Sequence, residues 1–528
     1  MSVIDASTLA DGTQLRADLC VVGSGAAGLT IAVELAGSSL DVLLVESGGL
    51  RAEAAADELA DFERSTPPPL PEEPRRARAF GGTTNVWYGR LARLDEIDFA
   101  GRAWVPHSGW PITRAELLRY EARGARFFGL DGHDALGGDA WRAQELAALL
   151  DETTLQASVH VWPHRIDLGR RHLPALRGAP NVRVLLHAHA TRLRAAPDGD
   201  AISSLTLRGA DGRAVHVAAR GYVLACGGWE NPRLLLLSRD RDGRALGNRH
   251  DAVGRYYMNH PRNDGVARLF LAPAQRQRRA LFATLTETRD ARAAVRRQFS
   301  FRVAEQRQRH EQLLNAETFL YPVATPRLRR VADDLRALPR GAQRDLGASL
   351  RRLARIAAEA PLLARAALHA LARRPFLIDH LALVDQSEQR PDPASRITLG
   401  ERRDRFGDPL LRVHWSVGAD TTRSLRRLHE LLGAFFASNG IGRLESALFD
   451  AAYEPRYLDA AHPMGTTRMS ADPRAGVVDA SCRVHGVANL WIAGSSTFPT
   501  GGRAAPTWTI ACLALRLADE LRATLARC

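Results

Sequence analysis

The chain reads as an α/β protein built on a parallel sheet, and three features of the sequence say so. An apolar run, Leu19-Cys-Val-Val22, stops in Gly23-Ser-Gly25 and passes at once into Ala26-Ala27-Gly28. A second apolar strand, Asp41 to Val45, ends in Glu46, and the interval from Gly23 to Glu46 is 23 residues. Strand-like alternation then returns over 180–224 and closes on another strand–glycine–helix junction, Leu224-Ala-Cys-Gly-Gly-Trp-Glu-Asn-Pro-Arg233.

The first junction has a specific physical reading. Gly23 takes the tight turn, and Gly25 lets a pyrophosphate approach the backbone. Gly28 lets the helix lie close on the strand. The helix N-terminus, at Ala26 and Ala27, offers free N–H groups and partial positive charge to phosphates. Glu46, one strand–helix–strand unit later, is placed to accept hydrogen bonds from both hydroxyls of an adenosine ribose. A lone glycine motif is weak, but here its whole context is present. The motif alone does not separate FAD from NAD.

Beyond this unit, residues 51–78 read as a helix followed by a crossing loop at Pro67-Pro68-Pro69. Phe80-Gly-Gly-Thr-Thr-Asn-Val-Trp-Tyr-Gly-Arg90 suits a loop whose backbone comes close to a planar ligand. In it Asn85 is expected to bond the ligand's edge and Trp87 to pack beneath. A helix is expected over 110–125, after Pro111, with Thr113 as its cap. Strands are expected at 182–186, 191–194, 204–208 and 214–224, with Asp211-Gly212 as a hairpin. Strand-like pieces follow at Gly265–Leu271 and Phe299–Val303. Residues 326–374 carry arginine among Leu, Ala and Val at helical spacing, broken by Pro339 and Pro361. This stretch reads as a solvated helical insertion. Strands from Phe376 to Val384, Ser395 to Leu399 and Leu410 to Trp415 come next, then a helix from Thr421 to Asn439 stopped by Gly440.

Composition narrows the function classes. The chain has 528 residues, 45% of them hydrophobic, so it is long enough for two or three domains with sizeable cores. The net charge of +13 comes from scattered arginine, for no lysine occurs. With aromatics at 6% and no recognition motif, that charge reads as solvated surface, and no nucleic-acid partner is expected. The five cysteines stand far apart, at no spacing that suggests a metal or iron–sulfur site, and read as buried thiols in a reducing compartment. No targeting segment and no apolar stretch of membrane-spanning length are seen. A cytoplasmic location is expected.

The most specific stretch lies near the C-terminus. It reads Ala461-His-Pro-Met-Gly-Thr-Thr-Arg-Met469, then Gly476 to Ser496 with Ala493-Gly494-Ser495, then Phe498-Pro-Thr-Gly-Gly-Arg-Ala-Ala-Pro-Thr-Trp-Thr-Ile510. Together with the N-terminal unit and the Gly81–Asn85 loop, it closely resembles the glucose–methanol–choline (GMC) family of FAD-dependent oxidoreductases, in particular its bacterial polyol and sugar dehydrogenases. The resemblance decides FAD over NAD and implies an FAD-binding Rossmann-like domain plus an α+β substrate domain with an antiparallel sheet. The FAD-binding domain is expected from 1–105, 180–265 and 455–528, and the substrate domain from 106–179 and 266–454.

The resemblance also implies site residues. Family members pass a hydride from an alcohol carbon to flavin N5 while a base takes the hydroxyl proton. The histidine of His-x-x-Gly-Thr, here His462, is that base. Gly494 and Ser495 are expected at the ribityl–phosphate part of FAD, and Pro506 and Thr507 near the pyrimidine edge. Ala190 is expected to offer its backbone to the adenine. Ser24, Ser47, Gly82, Thr83 and Ala225 complete the expected cofactor contacts. Some relatives attach FAD covalently through a histidine before the loop tryptophan; that position is Val86, which implies dissociable FAD. The family's second catalytic residue, His or Asn, falls on Ala505, which cannot hold a substrate oxygen. Arg503 is read as covering phosphate or solvent, with replacement of the missing donor as the alternative.

The leading function is FAD-dependent oxidation of a CH–OH group on a polyol, sugar or biosynthetic intermediate, with the electron acceptor open. The alternatives are a repurposed flavoenzyme such as a lyase, and a non-catalytic FAD- or partner-binding protein. Loss of one donor where charge develops costs about 10²–10³ in rate. Ala505→Asn is therefore expected to raise flavin reduction by at least one alcohol of a polyol panel, and unchanged reduction across the panel would refute the deficit.

Overall fold

Runs of apolar residues buried on both faces form the centre of the first sheet, the pattern that a sheet covered on both sides requires. Its four central strands are β1 (Thr13–Val22), β2 (Val42–Val45), β3 (Val182–Leu186) and β4 (Ala214–Leu224). The computed structural model describes residues 3–65, 76–130, 136–137, 144–163, 167–275, 279–286, 288–290, 295–341, 346–371 and 378–526. Leu19 to Val22, Val42 to Val45 and Tyr222 to Leu224 are all buried. These strands run parallel in the order β3-β2-β1-β4, with Val3–Asp5 beside β3 and Leu490–Ile492 beside β4. Helix α1 (Ala26–Leu35) follows β1, and α2 (Gly227–Leu237) follows β4.

The sheet is not parallel throughout. His189–Ala195 and Ile202–Arg208 extend it beyond β4 as antiparallel strands. The reason is local. Gly212, at φ +84°, closes a tight turn in which Gly209 N–H donates to the Arg213 carbonyl at 2.9 Å. A connection so short joins only antiparallel neighbours.

The second sheet is antiparallel. Its inner strands are β5 (Pro261–Leu271), β6 (Val295–Val303), β7 (Ala316–Ala324) and β8 (Ile378–Ser387), in the order β6-β7-β8-β5. Leu155–Trp162 pairs with β6, and Gly442–Ser446 with β5. Helix α3 (Ala419–Ser438) lays Leu425, Leu428, Leu432 and Phe436 on this sheet, an i, i+3, i+7, i+11 stripe. A small third sheet joins Arg396–Arg403, Pro409–His414 and Phe62–Arg64. Helix α4 (Thr507–Ala526) packs on α1 in the first core.

Several expected elements differ in extent. The helix expected over 110–125 is two, Arg114–Leu118 and Glu121–Phe128, because Tyr120 N–H bonds the Leu117 carbonyl at 3.0 Å and tightens the chain there. Thr113 caps the first as expected, its Oγ1 accepting from Glu116 N–H at 3.2 Å. The helix of residues 51–78 is short, Ala54–Asp57. The Pro67–Pro69 crossing segment and the start of the strand expected from Phe376 lie outside the described residues. The arginine-rich insertion forms helices at Pro326–Gly341, Leu346–Ala358 and Ala360–Leu371, cross-tied by Arg355 to Asp334 and Arg327 to Glu359. Cys20, Cys226, Cys482 and Cys512 are unpaired. Among the described residues no helix is long and apolar enough to cross a membrane.

A buried polar network ties residues 95–102 to the second sheet. Arg102 forms a two-pronged ion pair with Glu388, and both side chains are fully buried. Glu388 also accepts from Asn315 N–H at 3.1 Å, while Asn315 Nδ2 donates to Asp98 at 2.9 Å and Asp95 at 3.0 Å. Breaking a buried pair strands the remaining charge and costs about 3–5 kcal/mol. Arg102→Met is expected to lose about that much unfolding free energy in urea denaturation, against little change for exposed Arg336→Met.

Candidate functional site

The strand–turn–helix junctions of the first sheet open onto a cavity of about 970 Å3. Gly23 sits there at φ +102°, and a Cβ on it would lie 2.6 Å from the Ala225 carbonyl oxygen. A Cβ on Gly28 would lie 1.9 Å from the Gly23 carbonyl oxygen, so α1 rests on the turn only because residue 28 has no side chain. Gly25, Gly227 and Gly494 are the reverse case. A Cβ on any of them meets no protein atom within 4 Å, and all three line the cavity. These are bare backbone surfaces facing open space, as an extended phosphate-bearing ligand needs. The first turn of α1 carries no acidic residue, so its N–H groups and positive end are available to such a ligand.

Glu46 lines the cavity at the end of β2. It accepts from Ser24 Oγ at 2.6 Å, Ser24 N–H at 3.1 Å and Gly48 N–H at 3.0 Å. Burial pushes its carboxyl above the usual range, against the pull of these hydrogen bonds. Ser47, Ala26, Ala27, Gly82, Thr83, Val86, Ala190, Ala225, Ser495, Pro506 and Thr507 line the same cavity. Gly28 and Asn85 do not. Gly28 packs on the turn beneath. Asn85 Nδ2 donates to the Phe80 carbonyl at 3.1 Å and the Gly82 carbonyl at 2.8 Å, so its side chain braces its own loop. Trp87 is on the wall.

His462 stands at the far end, under the second sheet, with Phe319, Tyr321, Gln386, Arg90 and Arg262 lining the same end. Two segments fix its position. Met258 N–H donates to the Met464 carbonyl at 3.0 Å, and Met464 N–H to the Met258 carbonyl at 2.9 Å. Between them Asn259 Oδ1 accepts from His462 N–H at 3.0 Å and His260 N–H at 2.9 Å. The two imidazoles meet, Nδ1 to Nδ1, at 2.8 Å, and His260 Nε2 lies 2.9 Å from the Gly502 carbonyl oxygen. Burial, then the neighbouring His260, Arg90 and Arg262, hold the His462 pKa well below the usual imidazole value. His462 is therefore a neutral ring at neutral pH, with a lone pair to offer.

Ala505 lines the cavity, and its methyl offers no hydrogen-bond donor. Arg503 neither replaces it nor covers phosphate or solvent. Its guanidinium is buried and bonds Asp95 at 2.8 and 3.1 Å and Glu317 at 2.6 Å, away from the cavity wall. Arg90 is on the wall, where it stacks on Phe319 at 3.9 Å and donates to Tyr321 Oη at 2.6 Å and Gln298 Oε1 at 3.2 Å. Among the described residues it has no carboxylate partner. The sequence reading missed Arg90 and His260. The signal for each was faint: Arg90 ends the glycine-rich loop, and His260 sits in Asn259-His-Pro261, just before a strand.

The chain is similar to known proteins in sequence and in fold. Residues 391–514 match the GMC oxidoreductase family model. Paromamine 6'-oxidase of Streptomyces fradiae is 25% identical over 96% of this chain and 92% of its own length. The fructose dehydrogenase large subunit of Gluconobacter japonicus is 26% identical over 61% of this chain, and 6'''-hydroxyparomomycin C oxidase of Streptomyces lividus 27% over 45%. The chain spans about half the length of these last two relatives, 50% and 53%. Among solved structures, pyridoxine 4-oxidase from Mesorbium loti superposes with a TM-score of 0.57 at 18% identity, covering 95% of this chain and 98% of that one. A formate oxidase does so with a TM-score of 0.57 at 17% identity, covering 98% and 99%. These two share the fold.

Gly25 supplies a test of the cavity. A methyl there meets no protein atom, and at a helix N-cap the change costs about 1 kcal/mol or less. Gly25→Ala is expected to melt close to the parent yet bind dinucleotide markedly more weakly, as read by titration of the apoprotein.

Proposed function

We propose, from the premise that this chain is a GMC oxidoreductase with its family domain at residues 391–514, that it oxidises a CH–OH group of a sugar, polyol or related small molecule, with His462 as the base. The observation that carries the reading is a neutral imidazole, with its pKa held down, lining the far end of a cavity that begins at a bare glycine turn and helix N-terminus. Relatives and structural neighbours are named as oxidases and dehydrogenases, which favours oxidation over the lyase and non-catalytic readings.

The residues present fit FAD. The bare backbone at Gly25, Gly227 and Gly494 and the α1 N-terminus would take the diphosphate, and Glu46 the adenosine ribose. Gly494 and Ser495 would hold the ribityl–phosphate part, and Pro506 and Thr507 the ring edge. FAD, when bound, supplies the two-electron acceptor for the hydride leaving the alcohol carbon. Val86 offers no nucleophile, so the cofactor is held without a covalent bond.

His462 takes the hydroxyl proton. Its depressed pKa keeps it unprotonated through neutral pH, so a general base is ready without titration. Negative charge then grows on the substrate oxygen, and Ala505 gives it no donor. Arg90, on the wall and without a carboxylate partner among the described residues, favours that charge. Arg262 of β5, Phe319 and Tyr321 of β7 and Gln386 of β8 line the part of the cavity that would receive the substrate. The free thiols of Cys20, Cys226, Cys482 and Cys512 are in keeping with a reducing, cytoplasmic location. Oxygen, a quinone or a carrier protein remains open as electron acceptor.

The purified protein should be yellow, and acid denaturation should release all its FAD. Anaerobic reduction by a panel of sugars and polyols should bleach the flavin. His462→Ala should slow that bleaching by about 10²–10⁴-fold at unchanged FAD content. A colourless protein that refuses FAD, or parental bleaching by His462→Ala, would overturn the proposal.

A further inference from the structure

We propose that His260 is a positioning residue that fixes the ring proton of His462 on Nδ1 and leaves Nε2 of His462 as the bare proton acceptor. The inference rests on His462 being the base.

The hydrogen-bond pattern allows one assignment. His260 Nε2 lies 2.9 Å from the Gly502 carbonyl oxygen and 3.4 Å from that of Gly501. A carbonyl oxygen only accepts, so His260 Nε2 carries a hydrogen. His260 is fully buried, and burial lowers its pKa, so the ring is neutral and has no second N–H. Its Nδ1 is then an acceptor. The partner at 2.8 Å, His462 Nδ1, must donate. A neutral His462 with its proton on Nδ1 has its lone pair on Nε2, which makes no hydrogen bond to any described residue.

The backbone holds this arrangement. Asn259 Oδ1 receives the amides of both histidines, and the paired amides and carbonyls of Met258 and Met464 lock the two segments together. The rings cross at 84° with centroids 5.0 Å apart, so neither stacks and each presents its nitrogens edge-on. The charged groups acting on the pair are Arg90, Arg262, Glu317 and Glu388. None of these lies between the two Nδ1 atoms.

The chemical consequence is specific. An unconstrained imidazole exchanges between tautomers, and the form with hydrogen on Nε2 cannot take a proton there. Which nitrogen is protonated is set by the bond that the other makes. With Nδ1–H committed to His260, the substrate O–H bond breaks, its proton forms the Nε2–H bond, and its electron pair stays on oxygen. The imidazolium so formed still donates Nδ1–H to the neutral His260, so the pair carries one added positive charge with no change of partner.

The test uses 15N-histidine-labelled holoprotein, with His462 assigned by the signals lost in His462→Gln. The parent should show hydrogen on Nδ1 and a bare Nε2 at neutral pH. His260→Leu should move the hydrogen to Nε2 and slow anaerobic flavin reduction by at least ~10-fold, with substrate affinity unchanged. His260→Asn, whose Oδ1 can accept from His462 Nδ1, should restore both. Hydrogen on Nε2 in the parent, or the parental tautomer and rate in His260→Leu, would overturn the inference. The nitrogen spectrum does not pass through turnover, so it separates this inference from the base reading, which fails instead if His462→Gln reduces flavin at the parental rate.

Discussion

A single buried guanidinium, Arg503, holds the reactive end of this protein together. It bridges Asp95, in the segment entering the second sheet, and Glu317 on β7. Burial would favour a neutral carboxyl at both acids, yet the arginine and its companions hold both below the usual carboxylate range. With Arg302, which also pairs with Asp95 at 3.4 Å, they form a charged cluster from which no single member is removed cheaply. The backbone that Arg503 anchors is the one whose Gly502 carbonyl receives His260. A charge cluster off the cavity wall thus sets, through one peptide group, where an imidazole on that wall directs its lone pair.

The cavity draws on both sheets in different ways. The first sheet contributes backbone: glycine turns, a helix N-terminus and carbonyls, with few side chains beyond Glu46 and Ser24. The second contributes residues of its strands, Phe319 and Tyr321 from β7 and Val384, Asp385 and Gln386 from β8. Gln386 reaches toward Arg503, its Nε2 donating to that residue's carbonyl at 2.6 Å, while the neighbouring Asp385 bonds His429 of α3. One short stretch of β8 therefore both lines the cavity and fastens the sheet to its helix.

Much of the first sheet was legible in the sequence because its signals are local. A strand, three glycines and an acid at a fixed interval need no distant partner to be recognised, and the glycine at residue 28 has one packing reason to exist. The C-terminal segment was legible through its wording. What escaped were relations across long separations. His260 and His462 are 202 residues apart, and nothing in Asn259-His260-Pro261 says that a second imidazole will arrive. Arg503 looked like a surface or phosphate residue, because the two acids that bury it lie far upstream. Asn85 shows the opposite case: its side-chain partners are the carbonyls of its own loop, Phe80 and Gly82. The antiparallel pairing across Asp211-Gly212 was legible for the same local reason as the first turn, a glycine free to take a positive dihedral angle.

The reciprocal link between Met258 and Met464 has an outcome for how this scaffold tolerates change. It joins the two segments that carry His260 and His462 through backbone groups alone. A side-chain change elsewhere on the cavity wall removes neither of these bonds, so the spacing of the two rings is set independently of the residues that shape the rest of the wall.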